Sequence, residues 1–232
     1  MATFVIVHGA WGGGFSWAKI RRMLAARGHE VFTPTLTGLG ERAHLASPAV
    51  DLETHIQDVV ATIETEDLRD VVLLGHSYGG MVVTGAADRV AERLAHLAYL
   101  DAFVPGDGDS VMSLQPAANA QAMKDRLVDG WRLTPNPLAA DTPADQRDWL
   151  AARRKDQPYA TFTRPVRLTG AARGVPRTYI YCLQKYPGDT FGPFAAKARS
   201  EAGWRYREID ATHTPNVTAP EALLKLILEM TS

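Results

Sequence analysis

Six short apolar runs punctuate the chain: "TFVIV" at 3–7, "EVFTP" at 30–34, "DVVLLG" at 70–75, "LAYLDAF" at 97–103, "RTYIYCL" at 177–183 and "WRYREI" at 204–209. They are rich in β-branched residues and mostly lack strict polar alternation, the pattern of strands covered on both faces. Between them the spacing turns helical. Trp17, Ile20 and Leu24 recur before Gly28, and Ile56, Val59, Val60 and Ile63 follow Asp51, a residue suited to an N-cap. Thr218-Ala219-Pro220-Glu221 reads as a capping box with proline in the first turn, opening a last helix through Leu223, Leu224, Ile227 and Leu228. Alternating strands and helices predict βα units: an α/β fold with a mainly parallel, six-stranded sheet flanked by helices.

One interval breaks this rhythm. About seventy residues separate "LAYLDAF" from "RTYIYCL", far more than an ordinary crossover needs. The interval holds Pro105, Pro116, Pro135, Pro137, Pro143, Pro158 and Pro165 between helix-like pieces such as "NAQAMKDRLVDGW" and "ADQRDWLAARRK". It predicts one domain with a core at 1–104 and 174–232 and a small helical cap inserted at about 105–173, over the strand ends.

Composition narrows the function classes. The 232 residues are 46% hydrophobic and 22% charged, with a formal charge of −1, so the chain offers no electrostatic footprint for nucleic acid or an anionic membrane. Met1-Ala2-Thr3 leads directly into Phe4–Val7 without a basic region or an apolar stretch of signal-peptide length, and a cytoplasmic location is expected. The single cysteine, Cys182, excludes an internal disulfide and a cysteine-rich zinc site, in keeping with a reducing compartment. With no HExxH and no dinucleotide fingerprint, neither a metal nor an organic cofactor is expected.

The chemistry concentrates behind the third apolar run. Gly75-His76-Ser77-Tyr78-Gly79 is G-x-S-x-G between a buried-strand pattern and a helix pattern, the arrangement of a nucleophile elbow. Serine needs a positioned base at neutral pH. Of the seven histidines, His213 in "DATHTPNV" falls after the last strand and before the last helix, where the order Ser…acid…His places the base. His29 and His96 are assigned to the far edge of the sheet, and His44 and His55 to the surface. The first strand ends in His8-Gly9-Ala10-Trp11-Gly12-Gly13-Gly14, with none of the spacing of a phosphate loop. Lying beside the elbow, it lets the backbone N–H groups of Ala10 and Tyr78 converge on one oxygen as an oxyanion hole.

"FVIVHGAWGGGFSWAKI", "LLGHSYGGM", "AFVP" and the late His213-Thr214-Pro215 together resemble the α/β-hydrolase superfamily, in particular the branch of plant methylesterases, hydroxynitrile lyases and bacterial esterase relatives. The likeness spans the core from Phe4 to the final helix and is weaker through the cap. It implies a compact, cofactor-free hydrolase whose cap helps form the substrate pocket. That branch usually carries its acid in the loop after the strand equivalent to "RTYIYCL", here "QKYPGDTFGPF", where Asp189 fits only with a shift. Asp101 ends the apolar run "LAYLD" beside the nucleophile strand, and a carboxylate there is costly without a partner such as an imidazole N–H. Asp101 is the preferred acid and Asp189 the alternative, while Asp210 reads as a strand-end residue.

The expected activity is a serine carboxylesterase acting on small, largely apolar esters. Gly9, Trp11, His76 and Phe103 are the expected pocket residues, with Phe15, Met112, Leu114, Trp131, Trp149 and Phe162 as further apolar supply. Two alternatives stand beside it. One is a hydroxynitrile lyase-type C–C lyase, disfavoured because that branch implies a lysine next to the histidine, where Thr214 stands. The other is a non-catalytic ligand receptor on the same fold. The expected partner is a small-molecule ester, with no nucleic acid or membrane; oligomeric state stays open, a homodimer being compatible.

Overall fold

The computed structural model describes residues 1–185 and 189–231. The first half runs β1 (Thr3–Val7), α1 (Ala18–Ala25), β2 (Glu30–Phe32), α2 (Leu52–Thr65), β3 (Val71–His76), α3 (Gly79–Arg89) and β4 (Leu94–Leu100). Between β4 and the next sheet strand come α4 (Val111–Leu114), α5 (Ala117–Asp125), β5 (Leu127–Val128), β6 (Arg132–Leu133), α6 (Ala144–Arg153), β7 (Gln157–Pro158) and α7 (Ala160–Thr163). The chain then closes with β8 (Arg177–Cys182), α8 (Gly192–Ser200), β9 (Trp204–Ile209), α9 (Pro215–Thr218) and α10 (Pro220–Leu228).

Six strands form one parallel sheet in the order β2-β1-β3-β4-β8-β9. Successive side chains of a strand point to opposite faces, so each apolar run feeds two cores. Val5, Val7, Leu73, Leu97 and Tyr99 pack with Ile56, Val59 and Ile63 of α2 and Val82, Val83 and Ala86 of α3. Phe4, Ile6, Val72, Leu74, Ala98 and Leu100 pack with Ile20 and Leu24 of α1 and Leu223, Leu224 and Ile227 of α10. All six residues of β3 are buried, which is why its sequence shows no polar alternation.

Element ends differ from the sequence reading in instructive ways. The run at 97–103 is only partly strand: β4 stops at Leu100, and Asp101 turns the chain out of the sheet with a φ of 42°. Asp51 does cap α2, accepting the Thr54 N–H at 3.1 Å, and its own N–H donates to the Thr54 hydroxyl. The capping box expected at Thr218 is absent. Pro215 starts α9 one turn earlier, so Thr218 is used as that helix's last residue and its hydroxyl donates to Thr214 O at 3.2 Å. The N-cap of α10 is Ala219, without a side-chain bond, and Glu221 pairs instead with Lys19 at 3.0 Å. The cap, expected to be helical, also holds the antiparallel sheet β5-β6-β7, whose two-residue strands are too short to leave a period in the sequence.

Candidate active site

Ser77 sits between β3 and α3 with a φ of 55°, a left-handed conformation that costs a non-glycine residue on the order of 1–3 kcal/mol. Its surroundings fix it there. Ser77 N–H donates to Leu100 O at 3.2 Å, and its carbonyl accepts from Gly80 N and Phe103 N at 3.1 and 3.3 Å. The glycines follow from close backbone approach. A Cβ at Gly75 would lie 2.6 Å from Gly79 O, and one at Gly80 only 2.1 Å from Phe103 O.

From this elbow a hydrogen-bonded chain runs inward. His213 Nε2 lies 2.9 Å from Ser77 Oγ, and His213 Nδ1 lies 2.7 Å from Asp101 Oδ2. A carboxylate only accepts, so Nδ1 carries the proton and Nε2 offers its lone pair to the serine hydroxyl. Asp101 is 1% exposed. Burial alone would raise its pKa, but the hydrogen bond from His213, joined by the Lys185 ammonium, holds it below the usual carboxylate value. Its other oxygen accepts from Lys185 Nζ at 2.5 Å and from Cys182 N at 3.3 Å. The buried Tyr179 hydroxyl clamps the turn, accepting from Ala102 N and donating to Ala102 O at 3.1 and 2.9 Å.

Asp189 lines the same cavity but serves another end. It accepts the N–H groups of Phe191 and Gly192 at 3.2 and 2.9 Å where α8 begins, and also the Tyr181 hydroxyl. The intervening residues 186–188 of "QKYPGDTFGPF" lie outside the described residues. His76 is neutral: burial first, and the neighbouring His213 second, push its pKa down to about 3. Its Nε2–H donates to His213 O at 2.7 Å, which anchors the histidine loop from below. Phe191 stacks on the His213 ring at 5.0 Å with planes 7° apart.

On the other side of Ser77 lies the glycine-rich loop. Neither Ala10 N–H nor Tyr78 N–H has a protein acceptor among the described residues. His8 supports this loop, its Nδ1–H donating to Gly9 O at 2.8 Å and its Nε2 accepting from Leu36 N at 3.1 Å, with burial pushing its pKa to about 4. His55, read from sequence as a surface residue, is fully buried. Its Nε2–H donates to Thr37 O at 2.8 Å and its Nδ1 accepts from the Tyr78 hydroxyl at 2.9 Å, so it holds the side chain of a residue at the elbow.

A cavity of about 570 Å³ joins these parts, lined by Gly9, Ala10, Trp11, His76, Ser77, Tyr78, Asp101, Phe103 and His213. Phe15 and Phe162 also line it, whereas Met112, Leu114, Trp131 and Trp149 do not; Trp149 is exposed, covered in part by Phe15 and Arg153. The cap supplies Met123, Leu138, Leu150 and Arg154 instead. Lys185 and Phe191 are site residues that sequence reasoning missed. Among the described residues no cluster of His, Cys, Asp and Glu is arranged to hold a metal, and no helix is long and apolar enough to cross a membrane.

Residues 4–226 match the alpha/beta hydrolase family, and the chain belongs to it. The chain is 40% identical to a carbendazim hydrolyzing esterase of Nocardioides sp. (strain SG-4G), over 96% of this chain and 97% of that protein. It is 26% identical to a pyrethroid hydrolase of Sphingobium wenxiniae, over 99% and 87% of the two chains. Among solved structures, an extracellular alpha/beta-hydrolase from a Paenibacillus species, described as sharing structural and functional homology with tobacco salicylic acid binding protein 2, superposes with a TM-score of 0.86 at 26% identity over 99% of both chains.

Proposed function

We propose that the chain is a serine carboxylesterase for small, largely apolar esters. The observation that carries this reading is the continuous chain Ser77–His213–Asp101, at 2.9 and 2.7 Å, beside two backbone N–H groups that have no protein acceptor among the described residues. His213 Nε2 takes the Ser77 proton as Oγ attacks the ester carbonyl, and Asp101 stabilises the imidazolium that forms. Ala10 and Tyr78 N–H receive the developing oxyanion, each worth about 3 kcal/mol in comparable sites. The imidazolium then protonates the departing alcohol. Water, deprotonated by the same nitrogen, releases the acid and restores the serine. Every atom and proton balances with these side chains and water.

The substrate class follows from the walls. Trp11, Phe15, Phe103, Leu150 and Phe162 favour a compact apolar body, and the esterase and hydrolase relatives act on small molecules by name. A lyase of the hydroxynitrile type gains no support from Lys185, whose ammonium is committed to Asp101 at 2.5 Å and also pairs with Asp189 at 3.6 Å.

Ser77→Ala tests the reading. The variant is expected to fold, to lose aryl-ester turnover and to escape labelling by an organophosphonate that modifies the wild-type protein once, at Ser77, as read by peptide mass spectrometry. Stoichiometric labelling of the variant, or wild-type labelling at another residue, overturns it.

A further inference from the structure

The cap reaches past the substrate cavity into the loop that follows β1. Every polar group of Trp11 is held by it: Trp11 N–H donates to Gln157 Oε1 at 2.8 Å, its indole N–H donates to Leu133 O at 3.0 Å, and its carbonyl accepts from Lys155 N at 3.2 Å. Leu133 and Gln157 are register partners across β6 and β7, so one rung of the small sheet grips both ends of the residue. Trp11 needs that grip. Its φ of 60° is left-handed, and a non-glycine residue stays there only when its surroundings over-determine it.

We propose that Gln157, which does not line the cavity, is a positioning residue that sets the Ala10 oxyanion donor; this rests on the serine-esterase reading above. Ala10 lies between two peptide planes. In the Gly9–Ala10 plane the carbonyl accepts from His8 Nδ1 at 2.8 Å and Gly12 N at 3.4 Å, and in a trans peptide that turns the Ala10 N–H the opposite way. The Ala10–Trp11 plane is fixed by the bond from Trp11 N–H to Gln157. With both planes pinned, the Ala10 N–H is the donor left over at the cavity wall.

The orientation of the amide is itself determined. Gln157 is fully buried. Its Nε2 donates to Thr161 Oγ1 at 2.9 Å, while the Thr161 hydroxyl donates to Pro158 O at 2.7 Å and so can only accept from the amide. The Nε2 end must face Thr161, which leaves Oε1 for Trp11. Phe162, next in the chain, lies against Tyr78 (5.4 Å, planes 19° apart) and Trp11 (6.0 Å), filling the gap between the two sides of the oxyanion hole.

The test compares Gln157→Met, which keeps the volume and removes the acceptor, with Gln157→Glu, which retains one. On an activated ester, Gln157→Met is expected to lower kcat about 10- to 100-fold, less than the 10²- to 10³-fold of losing a donor outright. KM should stay within about threefold, and phosphonate labelling should slow in parallel. Gln157→Glu should recover most of kcat. A cap that is merely loosened would instead raise KM, because the cap lines the cavity. Unchanged kcat in folded Gln157→Met, or a loss confined to KM, overturns the proposal. Should Gln157→Met not fold, Thr161→Val frees the amide to turn over and must reproduce the kcat loss, an unchanged kcat again overturning it. Failure of the underlying reading is distinguishable, since wild-type protein would then neither turn over the ester nor be labelled at Ser77.

Discussion

Asp101 and Asp189 stand in the same cavity wall with different partners, and the difference predicts opposite responses to one substitution. Asp101→Asn keeps the shape at His213 Nδ1 but favours the wrong imidazole tautomer, and kcat should fall by about 10⁴-fold, as in the serine-protease precedent. Asp189→Asn keeps an oxygen for the Phe191 and Gly192 N–H groups and loses only the charge at the start of α8, so it should cost less than about 1 kcal/mol of stability with kcat within a few-fold of wild type. Steady-state kinetics with circular dichroism on both variants decides; a collapse in Asp189→Asn beside near-normal Asp101→Asn would reverse the assignment. The pairing of Ser77 with His213 is legible because the elbow is a local pattern and the place of the proposed base follows from chain order. Asp101 was readable because a carboxylate closing an apolar strand demands a partner. Lys185 and Phe191 were not, since their relevance depends on β8 lying beside β4 and on the path of the following loop. His55 does leave a signal in the sequence: with Leu52, Ile56, Val59, Val60 and Ile63 it falls on the buried stripe of α2.

At the scale of elements, the elbow is a packing problem between α3 and the ends of β1 and β4. Gly80→Ala would drive a methyl into Phe103 O, and the same Phe103 donates its N–H to the Ser77 carbonyl. The helix must retreat and take the elbow with it. Destabilisation of about 1–3 kcal/mol is expected from overpacking, together with a kcat loss that an Ala substitution at exposed Gly174 does not share. Urea midpoints and kcat measured on both variants check this, and a Gly80→Ala protein of wild-type stability and rate would refute it. Long elements were legible for a related reason: a strand buried on both faces, or a helix with one apolar stripe, imprints its period on many residues. The two-residue strands of the cap imprint nothing, and the true start of α10 depended on Pro215 opening a helix one turn earlier.

At the scale of the whole molecule, His8, His55 and His76 are neutral, buried histidines near the site: His8 and His55 with pKa values of about 4, and His76 of about 3, all depressed chiefly by burial. In the unfolded chain each titrates near 6.5. Between these values the unfolded state binds more protons than the folded one, so the contribution is complete above about pH 6.5 and is lost as pH falls towards 4. Each histidine contributes a slope approaching about 1.4 kcal/mol per pH unit within that window. Urea unfolding should therefore show a markedly lower midpoint at pH 5 than at pH 7.5, and equal midpoints would contradict it. The one thiol behaves differently. Cys182 is buried in β8 with its N–H on Asp101, and burial, reinforced by that carboxylate, raises its pKa far out of the reactive range. A thiol that neither ionises nor reaches the surface records nothing about the redox state of its surroundings. It follows that the protein should work without added reductant, resist alkylating reagents and form no cross-link between copies, in oxidising and reducing media alike.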